Sequence, residues 1–64
     1  MENNVIKLMK LIEQEFMYAA EQSAKFVEGN NSAGTRVRKT MQNIKNLSQE
    51  VRKEVQNQKN SVTA

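Results

Sequence analysis

The 64-residue chain contains no cysteine, no histidine, no proline and no tryptophan, and only two glycines. Without cysteine and histidine there is no disulfide, no zinc finger and no thiol or imidazole catalysis. A nucleophile would then have to be activated by lysine or carboxylate alone. Paired carboxylates need a shaped pocket to separate their pKa values, and a chain this short offers none. Binding a metal through oxygen alone requires clustered acids, but Glu13 and Glu15 face different ways on a helix. No glycine-rich nucleotide-binding pattern is present. An enzyme, a cofactor, a bound metal and a small-molecule substrate are therefore not expected. No apolar run approaches the roughly 18 residues of a membrane span. The start Met1-Glu2-Asn3-Asn4 lacks the basic character of a secretory signal. The expected location is cytoplasmic, with no membrane partner.

Chains of this size bury only roughly 60% of their unfolded surface, so a single core is marginal. With disulfides and metals excluded, oligomerisation is the remaining route to stability. The net charge of +3 is unevenly distributed. Residues 1–28 carry three lysines against five glutamates, a net −2, and residues 29–64 carry seven basic residues against two glutamates, a net +5. Such asymmetry points the second half toward an anionic partner, nucleic acid before membrane.

Strand-like alternation is missing, and helical spacing takes its place. Val5, Met9, Ile12, Phe16, Ala19, Ser23 and Phe26 follow one another in steps of four and three, which predicts a helix over about 4–28. Asn3 or Asn4 can cap its start. Gly29 should end it, because glycine has no Cβ to clash at positive φ. Asn31 or Ser32 can cap a second helix over about 32–57, whose seam reads Val37, Met41, Ile44, Ser48, Val51, Val55. The turn is placed at 29–32 and a frayed tail at 58–64. So short a link makes the helices antiparallel neighbours. The expectation is one all-α domain over 1–64, an antiparallel two-helix hairpin. Ile12, Phe16, Phe26, Val37, Met41, Ile44 and Val51 form its core and dimer seam. Ile6, Leu11, Met17 and Tyr18 fall outside that seam and would stay wet, which argues for a homodimer in which two hairpins make a four-helix bundle.

Arg38, Lys45, Arg52 and Lys59 recur every seven residues, a step that drifts only about 20° on a straight helix. They form one stripe, with Lys39 and Lys53 just outside it and Glu50 and Glu54 on the opposite flank near Arg36. Two readings stand side by side. The stripe is a phosphate-tracking surface, or it pairs with helix-one acids such as Glu13, Glu21 and Glu28, as coiled-coil flanks commonly do. Gly34, in the first turn of helix two, costs about 1 kcal/mol relative to alanine. Close backbone approach explains it, to helix one in preference to a phosphate. With Phe16 and Phe26 assigned to the seam, stacking on bases is not expected, and phosphate contact would carry no sequence readout.

The run Glu28-Gly29-Asn30-Asn31-Ser32-Ala33-Gly34-Thr35-Arg36-Val37-Arg38-Lys39 resembles the signature of the bacterial histone-one-like proteins of chlamydial type. In those chains a Gly-Asn, small residues and Arg-x-Arg precede a helix closing on Arg-Lys-Glu, here Arg52-Lys53-Glu54. The likeness covers about residues 5–56. It implies a histone-like, nucleoid-associated protein that binds and condenses DNA with little sequence preference. Arg36, Arg38 and Lys39 match the family's first basic cluster, and Arg52 and Lys53 the later one. The best-known members add a long lysine- and alanine-rich tail, which these 64 residues do not include. The resemblance is thus to a short form, with weaker DNA affinity and a larger share of self-association expected. The alternative function is a coiled-coil interaction module that binds no nucleic acid.

Overall fold

The computed structural model describes residues 3–63, so Met1, Glu2 and Ala64 of the expected tail and N-terminus lie outside it. Two helices, α1 (Asn4–Val27) and α2 (Asn31–Thr63), lie antiparallel in a slab of 53 × 19 × 11 Å. No strand occurs among the described residues. The Asn3 side chain caps α1 by accepting from the Val5 N–H at 2.7 Å. At the other end Asn30 donates its backbone N–H to Lys25 O at 3.1 Å and Gly29 donates to Phe26 O at 2.9 Å. These two bonds are the Schellman pattern, and they require the left-handed φ of 111° at Gly29. Asn30 then serves a second purpose. Its side-chain oxygen accepts from the Ala33 N–H at 3.1 Å, making it the cap of α2. One asparagine closes one helix and opens the next, so α2 begins at Asn31, a residue earlier than the caps Asn31 or Ser32 would have set.

Cross-helix partners fix the register. Asn3 and Gln58 exchange two amide hydrogen bonds of 3.0 Å, Asn4 donates to Glu54 at 3.4 Å, and Arg36 donates to Gln22 at 3.1 Å. The Asn3–Gln58 pair also explains why α2 does not stop near residue 57. Gln58 is half-buried against α1, and the Gln56–Asn60 bond of 3.1 Å supports the next turn.

The contact face differs from the predicted seam. On α1 it comprises Val5, Leu8, Ile12, Glu15, Ala19 and Gln22, and on α2 Ala33, Val37, Thr40, Ile44, Leu47 and Val51, all buried or half-buried. Ile12, Val37, Ile44 and Val51 of the expected seam are there. Phe16 and Met41 are not: they remain 63% and 44% exposed, whereas Phe26 packs on Gly34 of α2 with half its surface still exposed. The reason is size. The fully packed positions are Ala19, Gln22, Ala33 and Thr40, small or polar side chains that let the backbones approach, while the bulkier Phe16 is turned outward. Burial of the polar members is compatible with packing because Gln22 accepts from Arg36 and the Thr40 hydroxyl donates to Arg36 O at 2.7 Å. Close approach continues to the turn. A Cβ at Gly34 would meet the Phe26 ring at 2.6 Å, so the glycine is answered by helix packing. Among the described residues no large side chain is fully buried, and apolar burial within one hairpin is correspondingly slight.

Candidate nucleic-acid interface

The hairpin has two broad sides. On one, a cleft of about 370 Å³ is lined by Asn4, Lys7, Leu8, Leu11, Glu50, Lys53 and Glu54; next to it a cleft of about 350 Å³ runs past Leu11, Glu15, Asn43, Asn46 and Leu47. Acids and bases are mixed there. On the other side, a cleft of about 330 Å³ joins Phe26, Asn31, Gly34, Thr35, Val37 and Arg38. Arg38 is the first member of the seven-residue series, so helical geometry carries Lys45, Arg52 and Lys59 along this second side. Both glutamates of α2 lie elsewhere, Glu54 half-buried between the helices and Glu50 in the first cleft. The stripe is therefore of one sign.

The structure divides the basic set. Arg38, Lys45, Arg52 and Lys59 are exposed along one flank. Among the described residues no hydrogen bond or salt bridge engages the side chains of Arg38, Lys39, Lys45 or Arg52. The expected helix-one acids do not serve them: Glu21 pairs at 3.7 Å with Lys25 on its own helix. Arg36 does not reach Glu50 or Glu54 but is held to Gln22 between the helices. Lys53 lines the opposite cleft and pairs with Glu50 at 3.8 Å; both partners are exposed, so the pair adds little stability. Four exposed cations on one side, with the other three placed differently, is a sharper arrangement than seven in a cluster.

Sequence reasoning missed the neighbours of the stripe. Phe16 and Met9 of α1, and Met41 of α2, are exposed on the flank that carries it. The usable signal was the spacing of small residues Ala19 and Ala33, which marks the true contact face. Among the described residues no group of acids could hold a metal ion, and no helix is long and apolar enough to cross a membrane.

Comparison with known proteins places the chain in a family. The model of the family described as Histone H1-like protein Hc1 matches residues 6–61, which includes both helices, the turn and every basic residue of the stripe. Searches of curated proteins and of solved structures give no match. The matched stretch is nearly the whole chain, and the all-α hairpin bearing Arg36-Val37-Arg38 after its Gly-Asn turn belongs to the histone H1-like Hc1 family, a structural, DNA-binding family of histone-like proteins.

Proposed function

We propose that this chain is a nucleoid-associated protein that binds DNA through phosphate contacts of α2, with little sequence preference, and does so as a homodimer. The observation that carries the reading is the stripe. Arg38, Lys45 and Arg52 are exposed and unengaged by the rest of the hairpin, and no acid interrupts them. Cations spaced along a rod track a phosphate backbone and release its condensed counterions, which gives affinity without base recognition.

The test is a salt-titrated mobility shift on unrelated duplexes. Affinity should fall steeply and equally for all sequences as salt rises. Changing Arg38, Lys45 and Arg52 together to glutamine should flatten the salt slope by about 3 per engaged chain, with helicity retained. A wild-type curve indifferent to salt would sink the proposal. A second reading, a coiled-coil module for a protein partner, is favoured by the exposed Ile6, Met17 and Val27. It predicts no DNA shift at any salt.

A further inference from the structure

Base stacking is not expected of a chain whose phenylalanines lie in its core, and the fold removes that condition. Phe16 is 63% exposed, and Phe26 keeps half its surface open although its ring packs on Gly34. Phe26 and Arg38 line one cleft of about 330 Å³. Continuing the register of Gln22 with Arg36 and Asn3 with Gln58 puts Phe16 level with Lys45, and Met9 level with Arg52. All four are exposed. An apolar platform on α1 thus accompanies each of three successive cations on α2, which are spaced by about 10.5 Å for seven residues.

We infer that this face binds single-stranded DNA in preference to duplex, with phosphates over α2 and unpaired bases laid across onto Phe26, Phe16 and Met9. This rests on the phosphate-binding reading of the stripe and adds the form of the strand and the groups that hold its bases. Charge names the occupant. Among the described residues no hydrogen bond or salt bridge engages the side chains of Arg38, Lys45 or Arg52. The α1 edge of the same face runs Met9, Glu13, Phe16, Ala20 and Val27, with one acid and no base. Lys7 lines the opposite cleft, Lys25 pairs with Glu21, and Lys10 is turned a further 100° from Met9, away from α2. A single strand carries its charge along one side and its π-faces on the other, as this face requires. A duplex has two backbones and keeps its bases stacked inside. Its second backbone would cross Glu13 and the exposed rings, where no cation meets it. Every base has a π-face, so the preference carries no sequence readout.

The test compares single strands of unrelated sequence with the duplexes made from them, in mobility shifts across a salt series. Single strands should be bound more tightly at physiological salt, and the ratio should widen as salt rises. The salt slope is about 0.7 per phosphate contact for single strands against about 0.9 for duplex, and stacking is not screened. Phe16→Ala, at an exposed site, should keep its far-ultraviolet helicity, weaken single-strand binding about 5-fold or more and leave duplex binding unchanged. Tyr18→Ala, about 200° around α1 from Phe16, should change neither. The chain has no tryptophan, so Phe16→Trp supplies a single reporter whose emission should be quenched by single strands and not by duplex. Equal affinity for both forms at every salt, or an equal loss for both in Phe16→Ala, overturns the inference while leaving the stripe as a duplex-binding surface. A fall in sedimenting mass in Phe16→Ala makes the face a contact between copies and overturns it too. Absence of binding to either form at low salt overturns the phosphate-binding reading with it.

Discussion

The two ends of the hairpin are packed differently. Near the turn the helices close on small residues: all four buried positions, Ala19, Gln22, Ala33 and Thr40, lie in that half. Phe26 rests on Gly34, and the Schellman bonds lock the chain reversal. Toward the open end the facing side chains are Leu8, Ile12, Leu47 and Val51, none more than half-buried. There the clefts beside Leu11 open, and the ends are joined by the Asn3–Gln58 amide pair and the Asn4–Glu54 bond. The comparison teaches that burial in this fold follows close backbone approach and not apolar bulk. Ala33, with a single methyl, is completely buried, while the much larger Phe16 is mostly wet.

Four substitutions act on this contrast. The largest effect should come from Ala33→Leu. The site has no accessible surface, so a larger side chain forces the helices apart and should cost about 1–3 kcal/mol in thermal or denaturant unfolding. The mirror change at the open end, Leu47→Ala, removes a half-buried side chain and is a calibration for it; a greater loss there would invert the comparison. Gly29→Ala comes next. Nothing lies within 4 Å of the added Cβ, so its cost is wholly that of the φ of 111°, about 1 kcal/mol or more. An unchanged midpoint would mean that the turn does not constrain the hairpin. The smallest effect belongs to Gln58→Ala, which breaks the amide pair with Asn3 and the 3.2 Å bond to Glu54 and should cost about 0.5 kcal/mol. Its signature is local: backbone amides beyond residue 50 should exchange with solvent faster, while those near Ala33 keep their protection.

The basic stripe and the turn illustrate two kinds of legibility. Arg38, Lys45, Arg52 and Lys59 could be aligned from their spacing alone, since a step of seven returns to nearly the same helix face in any context. Gly29 could be named as the terminator because only glycine accepts its backbone angle cheaply. Asn30 could not be assigned as the cap of α2, because the Schellman bond to Lys25 and the cap bond to Ala33 share one residue. Spacing set Lys53 just outside the stripe but could not give it a partner. Its pairing with Glu50 depends on side-chain reach.

The seam shows where the sequence reading fails and why. Phe16 has the right period for a core, but α1 is apolar around more than half its circumference and offers two valid phases. Period gives the existence of a helix and the spacing of its faces; it does not say which face meets which neighbour. Helix number, the reversal at Gly29 and the charge sorting of α2 were determined by the sequence by itself, because each arises from local backbone sterics or fixed helical geometry. Which seam of α1 lies against α2 was decided only by the tertiary structure, because it depends on how closely two backbones can approach, and that is set jointly by Ala19, Ala33, Gly34 and Thr40 on both helices at once.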